Sequence, residues 1–211
     1  MAKTVNKRRS SEHPDIHPTK KALIETFLRL ADQQDLSKIR IENVLEHSGI
    51  SKGSLYHHFT DFDDLVAEAK AQIFASSTKR TVDSINFVVN QSKSAEELRA
   101  SVRGLILETL TADGVLQRQM RARILGTSIT YPKLLEHVLV TQQWLTEEIT
   151  ATITNAKYRG LVKQSVDSHL AAVFIQTYIF GKIVDDISYA PVDPDDWADW
   201  IMSILDHKIF S

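Results

Sequence analysis

The stretch from residue 41 to residue 65 constrains the fold of this chain most, and it reads IENVLEHSGISKGSLYHHFTDFDDL. Gly49 is suited to end a helix in the left-handed conformation, and Ser51 is a good N-cap for the next helix. Two short helices joined by a tight turn that contains glycine form a helix-turn-helix, whose second helix enters the major groove of DNA. The spacing therefore predicts helices over 41–48 and 52–58, with Phe59 closing the unit.

The exposed face of the second predicted helix is suited to a nucleic-acid surface. Lysine supplies charge for phosphate, and serine, tyrosine and histidine supply hydrogen bonds to phosphate oxygens or base edges. Gly53 removes side-chain bulk where the backbone must come close to a partner. An ordinary polar surface helix is the alternative reading. The predicted DNA-binding residues are Lys20, Arg40, Ser51, Lys52, Gly53, Ser54, Tyr56, His57 and His58.

The run SGISKGSLYHHFTDFDDLV resembles the TetR family of bacterial transcriptional regulators, and the resemblance covers roughly residues 19–74. The positions that match the family's pattern are Gly49, Ser51, Lys52, Gly53, Ser54, Leu55, Tyr56, His57, His58 and Phe59. Two departures remove phosphate contacts: Ile41 stands where threonine is common, and Asp61 and Asp63 follow the aromatic stop where lysine is common. These acids keep open the alternative of a helical adaptor that has lost DNA binding.

Composition and charge agree with a helical DNA-binding protein. The chain has 43% hydrophobic and 25% charged residues, seven glycines and five prolines in 211 positions, which favours an all-α fold. Residues 1–60 hold ten basic and seven acidic residues, a net charge of +3, whereas the remainder carries −5. The positive end is thus the end with the helix-turn-helix, as duplex binding requires. The absence of cysteine fits a cytoplasmic location.

The chain divides into three predicted segments: a flexible basic arm over 1–18, a DNA-binding domain over 19–64, and a helical body over 65–211. Helical spacing predicts about nine helices and no strand. The first begins at Thr19, a long one runs from about Asp61 to Val89, and Ser94 with Glu97 opens the next as a capping box. Asp113-Gly114 is predicted as a turn and 126–132 as a loop. Later helices are predicted over 134–156, 166–187 and 195–209.

The last two predicted helices carry more apolar surface than one chain needs. Two apolar stripes run along 166–187, whereas a helix with one wet face needs only one. The excess predicts a homodimer held by a four-helix interface, as the resemblance to TetR proteins also implies, and a buried helix pair within a monomer is the alternative. The predicted interface residues are Phe174, Tyr178, Trp197, Trp200, Ile201 and Ile204.

The resemblance further implies that a small-molecule effector binds the helical body and moves the DNA-binding heads. Polar residues within apolar stripes are typical of a ligand cavity, here expected between 98 and 183 beside the long helix. The candidate ligand-binding residues are Arg121, Arg123, Gln142, Trp144, Gln176 and Tyr178. Glutamines bonded to neighbouring backbone are the simpler explanation.

The predicted function is that of a sequence-specific transcriptional regulator. We expect a repressor that its effector releases from a near-palindromic double-stranded DNA operator, with activation as the alternative. No segment is long and apolar enough to predict a membrane span, and we expect no cofactor and no metal. The sequence lacks the nucleophile, phosphate-loop and metalloprotease motifs that would indicate an enzyme.

Overall fold

A computed structural model of the chain describes residues 17–210, so almost all of the predicted basic arm over 1–18 lies outside the described residues. Within 17–210 the chain is helical and contains no β-strand. A one-residue break at Lys182 divides the single helix predicted over 166–187. When its two parts are counted together, the described residues hold nine helices, as predicted. The elements are α1 (Pro18–Ala31), a 3₁₀ turn (Leu36–Lys38), α2 (Ile41–Ser48), α3 (Lys52–His58), α4 (Phe62–Gln91), α5 (Ala95–Thr109), α6 (Ala112–Thr130), α7 (Pro132–Tyr158), α8 (Ser168–Gly181), α9 (Ile183–Asp186) and α10 (Pro194–Lys208).

The chain forms two compact units that divide at Ala69. The first unit, here called the head, contains α1 to α3 and the first residues of α4. Its core reaches past the predicted boundary at residue 64 because Leu65 and Ala69 are fully buried in it. The fully or almost fully buried side chains of this core are Leu23, Ile24, Phe27, Ile39, Val44, Leu55, Phe59 and Leu65.

The turn between α2 and α3 has the geometry that its residues predict. Gly49 ends α2 with φ 67° in the left-handed region, where a side chain would strain the backbone. The hydroxyl of Ser51 accepts a hydrogen bond from the backbone N–H of Ser54 at 3.2 Å and caps α3. Leu55 and Phe59 then anchor α3 in the core, so the opposite side of α3 faces outward.

The start of α1 differs from the prediction, whereas α4 begins within one residue of the predicted Asp61. His17, rather than Thr19, caps α1, because its Nδ1 accepts the Thr19 backbone N–H at 3.3 Å and Pro18 takes the first helical position. At α4, the Asp61 carboxylate accepts the Asp64 N–H at 2.7 Å, and Asp64 accepts the Thr60 N–H at 3.0 Å. Asp61 therefore has a structural reason for standing where the family often has lysine.

The second unit, here called the body, covers residues 70–210 of the described chain. Its core is built by the later part of α4 together with α5, α7, α8 and α10. Ser94 caps α5 as predicted, since its hydroxyl accepts the Glu97 N–H at 3.1 Å. The returning Glu97 carboxylate accepts the N–H of Lys93 at 2.8 Å, one residue earlier than in a standard capping box.

The predicted turn at Asp113-Gly114 and the predicted loop over 126–132 are both wrong. Thr111 caps α6, and the helix runs without interruption through Gly114 and Gly126 to Thr130. Glycine is required at 114 because a Cβ there would lie 2.2 Å from the Thr109 carbonyl oxygen. At Gly126 a Cβ would meet nothing within 4 Å, so that glycine does not mark a break.

Candidate nucleic-acid interface and internal cavity

The outer side of α3 presents a cation and an aromatic ring to solvent. Lys52 is exposed and its Nζ lies 6.0 Å from the centroid of the Tyr56 ring. Tyr56 is 47% exposed, so its ring and hydroxyl are accessible from solvent. Their spacing of four places both side chains on one face, with the exposed His57 beside them. This face offers a positive charge and hydrogen-bond donors to an external partner.

Gly53 leaves the backbone at the start of α3 uncovered. A Cβ at this position would meet only the Ser51 hydroxyl, at an ordinary contact distance of 3.9 Å. The backbone of Gly53 is not in the left-handed region, since the positive-φ glycines of the described chain are Gly49 and Gly160. Nothing within the described head therefore requires glycine at this position.

Several other predicted DNA-binding residues have partners within the head. Lys20 forms an ion pair with Glu68 at 2.6 Å and lies 5.2 Å from the centroid of the Phe59 ring. Arg40 is exposed, and its guanidinium donates to the Ser37 carbonyl at 2.8 Å. The hydroxyls of Ser51 and Ser54 are 3.0 Å apart and share a hydrogen bond.

Three histidines meet at the end of α3. The ring of His58 lies 4.5 Å from that of His17 and 5.0 Å from that of His57, measured between centroids. Desolvation, followed by repulsion from His17, His57 and Lys20, lowers the pKa of His58. Protonation of His58 is therefore opposed by the free protein and would be favoured by an anion at this surface.

The body contains a cavity of about 610 Å³ beside α4, as the sequence predicts, and part of its wall is open to solvent. Its walls come from α4, α5, α6, α7, α8 and the end of α10, and apolar side chains dominate them. A cavity of this size and character lies within the range of small-molecule sites. The apolar wall includes Ile85, Val102, Leu105, Ile149, Ile153 and Ile179.

A buried ion cluster borders this cavity. Arg118 donates two hydrogen bonds to the Asp186 carboxylate, at 2.7 and 2.9 Å, and a third to the Thr109 carbonyl. Lys182 pairs with Asp185 at 2.5 Å and lies 3.4 Å from Asp186. Burial alone would raise the pKa of Asp186, but the two cations outweigh it and hold this pKa below its usual value. The cluster joins α6 to the α8–α9 junction.

Arg121 and Tyr178 also line the cavity, and both are half-buried. The Arg121 guanidinium lies 5.1 Å from the centroid of the Phe74 ring, and burial lowers its pKa. Burial likewise raises the pKa of Tyr178, which keeps its phenol neutral. Sequence reasoning singled out both residues.

Only half of the predicted ligand-binding residues reach the cavity wall. Gln176 lines it with Arg121 and Tyr178, whereas Arg123 and Trp144 are exposed to solvent. The Gln142 amide donates to the Gln176 carbonyl oxygen, and Gln176 donates to Thr146 and the Ala172 carbonyl, each at 3.1 Å. The glutamines therefore bond to each other and to protein, as in the simpler explanation.

The predicted interface residues differ in their exposure to solvent. Ile201 is 3% exposed and belongs to the core of its own chain, which contradicts its predicted interface position. Phe174 and Tyr178 are half-buried and pack on each other with ring centroids 5.5 Å apart. Trp197 and Ile204 are also half-buried, and Trp200 alone is freely exposed, at 66%.

A different apolar face is exposed on the α8–α9 segment. Leu170, Val173 and Val184 stand in solvent with Thr177 and Gly181 between them, at spacings of three and four residues. Both stripes of this segment are visible in the sequence, but the sequence cannot tell which one packs inside. The sequence analysis also did not predict the ion pair between Arg118 and Asp186, because sequence patterns act over a few residues and these two lie far apart in the chain.

Comparison with known proteins agrees with this architecture. Residues 23–69 match the family model described as bacterial regulatory proteins, tetR family. The head therefore has the sequence pattern of TetR-family regulators. The match covers the head and ends where the first compact unit ends. A search of the curated proteins gives no significant match.

Solved structures of TetR regulators share the fold over nearly the whole chain. A protein of Mesorhizobium loti described as a TetR-family transcriptional regulator has a TM-score of 0.66 at 14% identity, over 92% of this chain and 97% of that one. A TetR transcription regulator from Haloarcula marismortui has a TM-score of 0.62 at 15% identity, over 90% of this chain and 98% of that one. A transcriptional regulator from Saccharomonospora viridis, in complex with choline, has a TM-score of 0.63 at 18% identity, over 91% of this chain and 97% of that one. The likeness establishes the fold.

Among residues 17–210, no group of three histidine, cysteine or acidic side chains is placed to hold a metal ion. In the same part of the chain, no helix has the length and apolar character needed to cross a membrane.

Proposed function

We propose that this protein is a TetR-family, sequence-specific DNA-binding transcriptional regulator that acts from the cytoplasm. The observation that supports this most strongly is the outward face of α3. Lys52 and Tyr56 stand exposed on it, and Gly53 leaves the backbone open without an internal need for glycine. Groove-binding helices combine cationic side chains, hydrogen-bond donors and close backbone approach in this way.

The structure divides the proposed DNA contacts into two groups. Lys52, Tyr56 and His57 are free to reach phosphate or base edges, and Arg40 is exposed near the start of α2. Ser51 and Lys20 stabilise the head first, because one caps α3 and the other pairs with Glu68. We therefore expect substitutions of Lys52 or Tyr56 to act on DNA affinity, and substitutions of Ser51 or Lys20 to act mainly on stability.

We propose that the protein is a homodimer whose interface includes the exposed stripe of the α8–α9 segment. Leu170, Val173 and Val184 form an apolar row that ordinary monomers avoid, and Trp200 on α10 is a further exposed apolar residue. A two-fold interface would pair this row with its own copy. A dimer also explains the expected operator, because two heads read two half-sites about 34–36 Å, or a multiple of that distance, apart.

We propose that a small molecule in the body cavity releases the protein from DNA. One continuous helix, α4, supplies Leu65 and Ala69 to the core of the head and Ser77, Thr81 and Ile85 to the cavity wall. A ligand that favours one position of α4 lowers DNA affinity, and DNA lowers ligand affinity by the same factor. The choline complex of the similar S. viridis protein supports small-molecule binding within this fold. Activation of transcription is the alternative outcome of the same coupling.

The DNA-binding proposal is tested by measuring operator affinity as a function of salt concentration. The DNA flanking the protein's own gene is the first probe. Lys52→Ala should weaken binding to every sequence and reduce the slope of log K against log salt by about one unit. Tyr56→Phe removes the hydroxyl while keeping the ring, and should weaken binding by about 1 kcal/mol.

Lys93→Ala is the matched control, because it removes a positive charge from the body instead. Unchanged affinity and slope in both α3 variants would refute the assignment of this face to DNA.

A further inference from the structure

We propose that the cavity takes an organic anion, with an apolar body and an ionised acidic group that is bound by Arg121. This inference rests on the proposed effector role of the cavity and names the chemical class of its ligand. It follows from the charge of Arg121 and from the way in which the other charged side chains at the cavity are paired or exposed.

Arg121 carries a charge that the protein leaves uncompensated. Its guanidinium lies on the cavity wall over the Phe74 ring, at 5.1 Å from the centroid. No acidic side chain of the described chain forms an ion pair with it, and burial is the sole cause of its lowered pKa. A partly buried cation without a counter-ion is costly, so arginines in such places usually bind a carboxylate or another anion.

Arg118, one helical turn earlier on α6, shows the contrast. It is buried beside the same cavity, but Asp186 and the Thr109 carbonyl occupy its donors. The third cavity arginine, Arg80, is exposed to solvent, so of the two that are shielded from it the chain neutralises one and leaves the other open. Because guanidinium donors match the oxygens of an acidic group in pairs, Arg121 has the chemistry to orient such a group.

The remaining charged residues at the cavity do not offer a comparable site for a cation. Asp83, Glu108 and Asp113 are exposed side chains, so water screens their charges. Asp83 is also paired with Lys79 at 2.5 Å. The ligand that this wall fits is therefore unlike the choline of the S. viridis protein, since a quaternary cation would be repelled by Arg121.

The apolar part of the wall defines the other half of the ligand. Ile85, Leu105, Ile149 and Ile179 provide a surface without charge, and about 610 Å³ accommodates a molecule of two or three rings or a medium-length chain. A fully polar anion would leave this surface in contact with water or with polar atoms. The combination selects an amphiphilic acid.

The test uses two fluorescent probes that differ only in the acidic group. Anilinonaphthalene sulfonate carries an ionised acid, and phenyl-naphthylamine is the same aromatic body without it. Both are titrated into the full-length protein and into Arg121→Gln. We expect the variant to weaken sulfonate binding by at least about tenfold, the usual effect of losing a charge-assisted hydrogen bond. Binding of phenyl-naphthylamine should change less than about twofold by the same reasoning.

Two controls separate charge from structure. Arg123→Gln, on the exposed side of the same helix, should leave both probes unaffected. Arg121→Lys keeps the charge but loses the paired donors, so it should bind sulfonate more tightly than Arg121→Gln and less tightly than wild type. Thermal unfolding without a probe should show Arg121→Gln to be no less stable than wild type, because it removes an uncompensated charge. A clear loss of stability would mark Arg121 as a structural residue and overturn the proposal.

The remaining outcomes distinguish this inference from the proposed function. If both probes bind and Arg121→Gln leaves sulfonate affinity unchanged, the anion site is refuted while the cavity remains a ligand site. If neither probe binds, the cavity is closed to small molecules, and the effector role fails together with the anion site. DNA affinity is measured on the same samples, so loss of the DNA-binding proposal would be recognised separately.

Discussion

Substitution of Gly53 by alanine should separate stability from DNA binding. The added Cβ would lie 3.9 Å from the Ser51 hydroxyl and would contact no other group within 4 Å, so the folded head accommodates it without strain. Alanine replaces glycine in a helix with a gain of roughly 0.5–1 kcal/mol, and less in the first turn. The free energy of unfolding of Gly53→Ala should therefore equal or exceed that of wild type.

DNA affinity should change in the opposite direction. If the start of α3 lies against the phosphate backbone, a methyl group at Gly53 displaces it and weakens one or two hydrogen bonds. At roughly 0.5–1.5 kcal/mol for each bond, operator affinity should fall about three- to a hundredfold. Fluorescence anisotropy with labelled operator measures this loss, and urea unfolding measures stability.

Gly104→Ala is the matched control for this measurement. Gly104 is an exposed helical glycine in α5, and a Cβ there would also meet nothing within 4 Å. It should show a similar change in stability and unaltered DNA affinity. Wild-type affinity in Gly53→Ala would show that the backbone of α3 does not approach DNA closely, and our reading of the recognition helix would be wrong.

Three further predictions concern the ion cluster, the interface and the histidines. Arg118→Met should destabilise the body by about 3 kcal/mol in urea unfolding, because Asp186 loses its main partner in a buried site. The double variant Arg118→Met/Asp186→Asn should recover part of this loss. Strictly additive losses of stability would contradict the pairing of the two residues. Val173→Glu should sediment as a monomer and retain the circular-dichroism signal of its helices. The control Glu147→Gln, on an exposed part of α7, should remain dimeric. A dimeric Val173→Glu would place the interface elsewhere. Because the pKa of His58 is lowered on folding, the stability of the protein should fall as the pH drops below about 6.5. His58→Asn should reduce this pH dependence in thermal unfolding. An unchanged pH profile of the variant would contradict the assignment to His58.

The head was largely predictable because its signals are local. A glycine at a helix end and a serine at the next helix start act within a few residues of the chain, and the apolar spacing of α2 and α3 fits only one packing. His17 replaced Thr19 as a cap because both lie beside Pro18, and sequence alone does not choose between adjacent capping residues. The hydrogen bonds that Asp61 accepts from the Asp64 N–H, and Asp64 from the Thr60 N–H, were missed because they depend on where α4 begins.

The body was predicted less well because its decisive contacts are distant in sequence. Gly126 suggested a loop, yet α6 continues because Ile124 and Ser128 are buried on either side of it. The pairing of Arg118 with Asp186 depends on how α6 packs against α8 and α9. Ile201 looked like an interface residue because a helix with two apolar sides does not reveal which side faces its own core.

Binding selection from a random pool of duplex DNA tests the central claim most directly. The purified protein is incubated with the pool at moderate salt, and the bound fraction is amplified and sequenced over several rounds. We predict enrichment of a near-palindromic sequence whose half-sites are separated by one helical turn or a multiple of it. The same selection with the double variant Lys52→Ala/Tyr56→Ala should lose this enrichment. Recovery of no sequence above the starting pool by the wild-type protein would contradict the proposal that this chain regulates transcription by reading DNA.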